Sequence, residues 1–290
     1  MRPLGSGGFA DVYEAEHRHL GTQAAIKILK GTPSPEQIEA LRQEARLVME
    51  LDHPHIVRVL TFSVERARPY LVLAYAAGGT LDTRHSASIP LPIETVLTYT
   101  HQIAAALQYA HDQHIVHCDI KPENVLLAKD GRLLLADFGI AVMASTTHGQ
   151  QAQQIIGTWH YMAPEQFVDK AIPASDQYAL AILIYRWLCG ELPFAGLGSM
   201  HALPYAHMNT PPPSLREKVP TLLPAVEQVV MKALAKKPEE RFASVQAFAD
   251  ALEQASKKPA IGTTLLTYEH IGSPAKTIAW SPDGKRFASG

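Results

Sequence analysis

The chain has 290 residues, 47% of them apolar and 19% charged, with a formal net charge of −2. Such a chain can bury a large core, which excludes a disordered protein. The small net charge argues against a broad basic surface for nucleic acid, and no apolar run of about 18 residues predicts a transmembrane helix. The two cysteines, Cys118 and Cys189, make no disulfide framework, so we expect reduced thiols in a cytoplasmic protein.

The first third of the chain predicts strands and one helix. Short strands are expected at Val12–Ala15 and Ala24–Leu29. A helix is expected from about Glu36 to Leu51, where apolar residues recur at three- and four-residue steps. Two more strands follow it, Ile56–Leu60 and Tyr70–Leu73.

The middle of the chain predicts helices. They are expected at Pro92–Gln113, Ser175–Cys189, Leu223–Ala235 and Ser244–Ala255. The second of these is apolar on nearly every side, which predicts a helix buried at the centre of a domain. Strands first and helices later predict an α+β fold with two lobes.

The tail, residues 257–290, differs in composition and is expected to be separate from the rest. An apolar stretch from Ile278, an S-P-D-G turn and a second apolar stretch ending at Gly290 predict a hairpin. The segment resembles the start of a WD-repeat propeller blade, of which less than half is present. The alternative is a linker that ends in a chance hairpin.

The 14 histidines raise the question of a metal site. His111, His114 and His117 recur at every third position, but on a helix the first and last would point in different directions. The residues that follow them have a better interpretation, so zinc is not favoured.

The most informative run is H-C-D-I-K-P-E-N, from His117 to Asn124, followed by D-F-G from Asp137. Phosphoryl transfer needs a carboxylate to hold the attacking hydroxyl, a cation near the moving phosphate and oxygen ligands for magnesium. Asp119 can supply the first and Lys121 the second. Asn124 and Asp137 can supply the third.

At these positions the chain resembles the protein kinase superfamily, whose catalytic loop is H-R-D-x-x-x-x-N and whose metal site is D-F-G. The runs G-G-F-A-D-V-Y and G-T-W-H-Y-M-A-P-E-Q resemble bacterial (Hanks-type) serine/threonine kinases in particular. The resemblance covers about residues 3–256. It implies a small β-rich N-lobe with one helix (about 1–74), a large, mostly helical C-lobe (about 77–256), and a linker with an incomplete blade (257–290).

The resemblance also implies a site for ATP. A glycine-rich loop would cover the phosphates, with Leu4, Gly5, Gly7 and Gly8 close to the nucleotide. Lys27 would contact the phosphates and pair with Glu44. The remaining contacts, around the adenine and the hinge between the lobes, would come from Val12, Ala25, Leu73, Tyr75 and Leu126.

For catalysis, the resemblance implies that Asp119 accepts the proton of the substrate hydroxyl, while Lys121 neutralises charge on the γ-phosphate. Thr158 would bond to both and shape the site for serine or threonine. Asn124 and Asp137 would bind Mg²⁺, with Mn²⁺ as an alternative. The substrates would be proteins with Ser or Thr acceptors, the chain itself among them, and the oligomeric state is left open.

Three further residues, Asp176, Glu165 and Arg241, match structural positions of the family rather than catalytic ones. Asp176 would hold the backbone of the catalytic loop, and Glu165 would pair with Arg241.

Cys118 departs from the family, which usually has arginine before the catalytic aspartate. That arginine binds a phosphate on the activation loop, and cysteine cannot do so. We therefore expect that phosphorylation of the loop, which contains Ser145, Thr146 and Thr147, is not the main switch. A redox role for Cys118 is the less favoured alternative.

Other classes stay open. A pseudokinase would bind nucleotide and partners without transfer, although Lys27, Asp119, Asn124 and Asp137 are all present. An interaction protein built on a propeller and a phosphotransferase for small molecules are weaker alternatives. Since few residues precede the glycine-rich loop, we also expect that an upstream extension would raise stability and ATP affinity.

Overall fold

The computed structural model describes residues 1–8, 10–85, 88–138, 159–197, 202–257, 278–280 and 287–289. The chain divides into two compact units, Met1–Ser256 and Lys257–Gly290. In the second unit, two short antiparallel strands are described, and they lie where the sequence predicts a hairpin. The predicted turn between them lies outside the described residues.

Five antiparallel strands form the N-terminal sheet. They are β1 (Arg2–Ser6), β2 (Ala10–Glu16), β3 (Gln23–Leu29), β4 (Val59–Glu65) and β5 (Arg68–Ala74). Their order in the sheet is β1-β2-β3-β5-β4. The sequence did not predict β1, because Pro3 and Gly5 are both unfavourable in strands. A register shift between these two residues accommodates them.

One helix, α1 (Pro35–Met49), accompanies the sheet. It begins at a capping box, in which the Ser34 hydroxyl accepts a bond from the Gln37 N–H and the Gln37 side chain accepts one from the Ser34 N–H. Ala45 and Val48 are the buried residues of this helix. The helix therefore has a fixed start and one face held by the core.

The predicted strand Ile56–Leu60 is wrong in its first half, since β4 begins only at Val59. The Val57 N–H donates to the Leu135 carbonyl at 2.9 Å, and Ile56 forms a single bridge with Leu135. These residues therefore use their backbone groups to join the large lobe rather than the N-terminal sheet. The local apolar run does not reveal that change of partner.

The second lobe is mainly helical. Its helices are α2 (Leu81–Arg84), α3 (Ile93–Asp112), α4 (Pro173–Cys189), α5 (Ala202–Asn209), α6 (Leu215–Lys218), α7 (Pro224–Ala233) and α8 (Val245–Ser256). Helix α4 is buried along most of its length, as its apolar sequence predicts. The predicted two-lobed α+β fold is confirmed.

Most of the site residues between helices α3 and α4 lie just before or just after a short hairpin, β6 (Val125–Leu127) with β7 (Leu133–Leu135). The connection between the lobes runs beside it, because the Gly78 N–H donates to the Leu127 carbonyl at 2.9 Å. A Cβ at Gly78 would lie 2.7 Å from Leu127. Only glycine allows this approach, which fixes the connection against the hairpin.

Among the described residues, none of the helices combines the length and the apolar character needed to cross a membrane.

Candidate active site

Asp119 lies in the loop between α3 and β6, and two neighbours hold its carboxylate. The Lys121 ammonium is 2.8 Å from Oδ2 of Asp119. The Asn124 amide donates to the same oxygen at 2.9 Å and to the Asp119 carbonyl at 2.7 Å. One oxygen of this carboxylate is therefore bonded to an ammonium and to an amide, which hold the carboxylate in a fixed orientation.

The other carboxylate oxygen, Oδ1 of Asp119, is buried and has no hydrogen-bond partner among the described residues. A buried acceptor without a partner is costly, and an ionised one more so. The hydroxyl of a substrate, placed beside this oxygen, would donate the missing hydrogen bond. This orphaned oxygen is where the geometry favours a reacting hydroxyl.

The backbone before Asp119 is held by a buried carboxylate at the start of α4. Asp176 accepts hydrogen bonds from the N–H groups of His117, at 2.8 Å, and Cys118, at 2.9 Å. His111 Nε2 also lies 2.8 Å from Asp176, a partner that the sequence did not suggest. Asp176 thus has the role that the resemblance implied, and the central helix positions the catalytic loop.

His117 is fully buried and links the loop to the segment that carries Asp137. Its Nε2 lies 2.8 Å from the Ala136 carbonyl, and its Nδ1 accepts from the Asp119 N–H at 3.3 Å. Its ring centre is also 4.5 Å from that of Phe138. His117 therefore joins the backbone at Asp119 to the segment Ala136–Phe138.

Cys118 has a left-handed backbone, with φ of 68°, which is uncommon outside glycine. Its N–H is bonded to Asp176, and its carbonyl accepts from the Gln166 side chain at 2.9 Å. Burial, followed by Asp176, Asp119 and Glu44, raises the pKa of the thiol to about 12. The thiol is therefore protonated at neutral pH, which argues against the redox role.

Lys27 and Asp137 meet across the two lobes. The Lys27 ammonium lies 2.8 Å from Oδ1 of Asp137, with 12% and 27% of the two side chains exposed. Burial alone would raise the pKa of Asp137, but Lys27, His117 and Lys121 together hold it below its ordinary value. Asp137 is therefore ionised in this state, and it also has a left-handed backbone.

The expected pair between Lys27 and Glu44 is not found. Lys27 pairs with Asp137 instead, and Oε2 of Glu44 is buried without a partner among the described residues. Burial raises the pKa of Glu44 to about 7. The physical reason is that the Lys27 ammonium is held by Asp137 of the large lobe, while no cation is bonded to Glu44 within the described part of the chain.

The residues expected around a nucleotide share one face of the N-terminal sheet. Val12 pairs with Lys27, and Ala25 pairs with Leu73, on neighbouring strands. Directly paired residues lie on the same face, so these side chains surround Lys27 with an apolar surface. We call this surface the Lys27 face.

The hinge and the floor of the expected nucleotide site lie where the lobes meet. Tyr75 follows β5 in the connection between the lobes. Leu126 lies in β6 and forms a single bridge with Thr80 of that connection. Leu126 therefore belongs to the large-lobe side of the cleft.

The glycine-rich loop joins β1 to β2. Leu4 and Gly5 lie in β1, and Gly7 and Gly8 follow it. The Gly7 N–H donates to the Ala10 carbonyl at 2.9 Å, which closes the turn.

Thr158 and the segment that contains Ser145, Thr146 and Thr147 lie outside the described residues. Beyond that segment, Glu165 and Arg241 form the expected buried pair. Two parallel contacts of 2.7 and 2.8 Å join the carboxylate to the guanidinium, and Ser175 adds a bond at 2.7 Å. This pair joins the chain at Glu165 to a residue that is distant from it in sequence.

Three polar residues near the glycine-rich loop were not singled out from the sequence. Ser6, Asp11 and Lys30 are bonded to one another, and Lys30 also reaches a carbonyl of the loop. The sequence offers little signal for this cluster, because each residue is a common surface type. Gln166 was missed for the same reason, and His111 was considered only as a metal ligand.

The donor set fits a nucleotide with a divalent cation. Asn124 uses its amide nitrogen on Asp119, which leaves its carbonyl oxygen for a cation. Asp137 contributes an ionised carboxylate, and hard divalent cations prefer such oxygen ligands. Lys27 beside them is an ammonium suited to phosphate.

A two-lobed fold with these groups along its cleft is the architecture of an ATP-dependent phosphotransferase. A family model described as "Protein kinase domain" matches residues 1–252. The chain belongs to this family, which uses ATP and a divalent metal and acts on proteins.

Several bacterial relatives are similar over most of the chain. "Serine/threonine-protein kinase Pkn1" of Myxococcus xanthus is 38% identical over 88% of this chain and 38% of its own length. PrkC of Bacillus subtilis is 36% identical over 85% of this chain and 38% of its own. PknA of Mycobacterium tuberculosis is 35% identical over 89% and 62%. The chain thus spans less than two thirds of each of these proteins.

Proposed function

We propose that this chain is a bacterial serine/threonine protein kinase that transfers the γ-phosphate of ATP to Ser or Thr hydroxyls of proteins, its own among them. The observation that carries the proposal is the carboxylate of Asp119. One of its oxygens is held by Lys121 and Asn124, and the other is buried and lacks a donor within the described part of the chain. That arrangement suits a base that orients a hydroxyl.

Each role in phosphate transfer is assigned to a side chain of this protein. Asp119 holds the hydroxyl and accepts its proton as the oxygen attacks. Lys121 lies beside this carboxylate and can offset the charge of the phosphoryl group. Lys27 holds the phosphates of the nucleotide once it leaves Asp137, and Val12, Ala25, Leu73 and Leu126 enclose the base.

We propose Mg²⁺ as the cation, held by Asn124 and Asp137, with Mn²⁺ as an alternative. When bound, such a cation neutralises phosphate charge and orients the phosphates. Thr158 is proposed to contact Asp119 and Lys121, as in the family that the chain resembles.

We further propose that residues 1–256 are the kinase domain and that 257–290 are a linker with the start of a WD-repeat blade. The support is the short strand pair near the end of the chain. A cytoplasmic location is proposed from the two free thiols. If a chain extended by further repeats shows no added β-structure by circular dichroism, the blade is refuted.

The test of the proposed function is transfer of radiolabelled phosphate from ATP to a generic protein acceptor and to the chain itself. We expect Asp119→Asn to lower the rate by at least about 100-fold while the variant stays folded, because the base is lost. Asp250→Asn, an exposed carboxylate on α8, is the matched control and keeps full activity. Transfer that persists in Asp119→Asn would refute the role of Asp119.

A nucleotide-binding scaffold without transfer is the second candidate, and one observation favours it. Glu44 does not pair with Lys27 in this structure. ATP binding by the wild type with no labelled product under any divalent cation would select this alternative.

A further inference from the structure

The cluster of Ser6, Asp11 and Lys30 binds the glycine-rich loop from one side. The Ser6 hydroxyl donates to Asp11 at 2.6 Å, and the Lys30 ammonium donates to Ser6 at 3.0 Å. Lys30 also lies 3.1 Å from Asp11. The Ser6 hydroxyl and Lys30 hold the pKa of Asp11 below its ordinary value, so the cluster contains a true ion pair.

Lys30 makes one more contact, with the loop backbone. Its ammonium donates to the Gly7 carbonyl at 2.7 Å. An ammonium has three hydrogens, and Ser6, Asp11 and Gly7 are three partners for them. All the donor capacity of Lys30 is therefore directed at the loop and at the first residues of β2.

The strand register tells which face of the sheet this cluster occupies. Ser6 pairs with Asp11, and Asp11 pairs with Ile28. Val12 pairs with Lys27, and successive residues of a strand point to opposite faces. Ser6, Asp11 and Lys30 therefore lie opposite the Lys27 face, and the Gly7 carbonyl points away from that face.

A trans peptide is planar, so its N–H points opposite to its C=O. The described part of the chain contains no cis peptide bond. Because Lys30 draws the Gly7 carbonyl to the outer face, the N–H of Gly8 in the same peptide points toward the Lys27 face. Two adjacent glycines would otherwise allow this peptide to turn over at little cost.

We propose that Lys30 is a positioning residue, which holds the Gly7–Gly8 peptide so that the Gly8 N–H faces a nucleotide phosphate beside Lys27. This inference rests on the proposed function. Lys30 itself does not touch the nucleotide, since it lies on the opposite face of the sheet.

The test compares ATP with adenosine, which has no phosphate. The dissociation constants of the full chain for both are measured by calorimetry in Mg²⁺, for the wild type and for Lys30→Met. We expect ATP to bind about three- to tenfold more weakly to Lys30→Met, while adenosine binds equally well to both, because one backbone donor to phosphate is lost. In steady-state kinetics, KM for ATP rises and kcat changes little.

Two variants serve as controls. Lys30→Arg keeps the charge and the donors and should recover most of the ATP affinity. Lys129→Met removes an exposed lysine between β6 and β7 and should change nothing. Thermal melting of each variant shows whether the fold is kept. Asp11→Asn also weakens the cluster of Ser6, Asp11 and Lys30, and we expect it to lower ATP affinity by less than Lys30→Met does.

The outcomes are separable. Unchanged ATP affinity in Lys30→Met, or equal losses for ATP and adenosine, would overturn the positioning role and leave the proposed kinase activity intact. A wild type that binds neither molecule would overturn the proposed function and this inference together.

Discussion

Glu44 combines two properties that rarely occur together in a stable protein. Its carboxylate is partly buried, and its Oε2 has no hydrogen-bond partner within the described part of the chain. Burial raises its pKa to about 7, so near neutral pH a large fraction of the folded molecules carries a proton there. The ionised form of the Glu44 carboxylate is therefore disfavoured unless Lys27 or another cation comes close to it.

This property makes stability depend on pH in a definite direction. The folded protein keeps the Glu44 proton up to about pH 7, whereas the unfolded chain loses it near the ordinary glutamate pKa of 4.5. Stability from this group therefore falls as pH rises between these values. We expect Glu44→Gln to be more stable than wild type at pH 8, by about 1 kcal/mol, and nearly equal to it at pH 4.

Urea denaturation at both pH values measures the difference. Glu50→Gln, in an exposed position just after α1, is the matched control and should show no such pH dependence. A Glu44→Gln variant that is less stable than wild type at pH 8 would mean that the carboxylate is paired in solution.

Cys118 bears on how the protein is controlled. Its neighbours Asp176, Asp119 and Glu44 are acidic, and their charges add to burial in raising the thiol pKa. A phosphate brought to this position would meet negative charge, where the arginine of other kinases would attract it. The surroundings of Cys118 thus support the expectation drawn from its identity alone.

We therefore predict that phosphatase treatment leaves most of the transfer activity in place. Rates are measured before and after treatment, with loss of phosphate verified by mass spectrometry. A large loss of activity, restored by rephosphorylation, would contradict the prediction.

At the scale of elements, the contact between α4 and the catalytic loop depends on the hydrogen bonds of one buried side chain. Asp176 is fully buried at the start of α4 and accepts bonds from two backbone N–H groups and from His111. No neighbouring acceptor within the described part of the chain is bonded to those N–H groups in its place. The helix and the loop are therefore joined by one carboxylate.

We predict that Asp176→Ala lowers the free energy of unfolding by about 3 kcal/mol, because two buried N–H groups lose their acceptor. The variant also loses activity, since the backbone before Asp119 is released. Urea denaturation measures the loss, with Asp250→Ala as an exposed control on α8. A loss below about 1 kcal/mol would show that water or another group replaces the carboxylate.

The elements also show how far sequence could predict the fold. The helices α3 and α4 were predicted closely because their apolar periodicity extends over many turns. The short elements β6, β7 and α2 were not, because a few apolar residues fit several structures and only tertiary pairing decides among them. The predicted start of β4 was wrong because His55 and Val57, on either side of Ile56, are hydrogen-bonded to Leu135 of the other lobe.

The candidate site, like the fold, could be predicted only in part from the sequence. Asp119, Lys121 and Asn124 were named from one short motif, and because they lie close together in sequence, a single loop brings them into contact. Partners from distant segments were harder to predict. Sequence motifs name Glu44 and Asp137 as groups near Lys27, but they do not show which carboxylate holds the ammonium in a given state.

At the scale of the whole molecule, the two lobes are joined through the active site itself. Lys27 belongs to the small lobe and Asp137 follows β7 of the large lobe, so their ion pair is also a contact between lobes. Either ligand weakens this ion pair as it binds, because the cation attracts the Asp137 carboxylate and the phosphate attracts the Lys27 ammonium.

Opening that pair has a thermodynamic consequence. A cation that takes Asp137 releases Lys27 for phosphate, and a phosphate that takes Lys27 releases Asp137 for the cation. Whichever ligand arrives first bears the cost of separating the pair, and the second binds to a protein already open. Nucleotide and cation must therefore strengthen each other's binding by the same factor, a reciprocity that follows from the closed thermodynamic cycle.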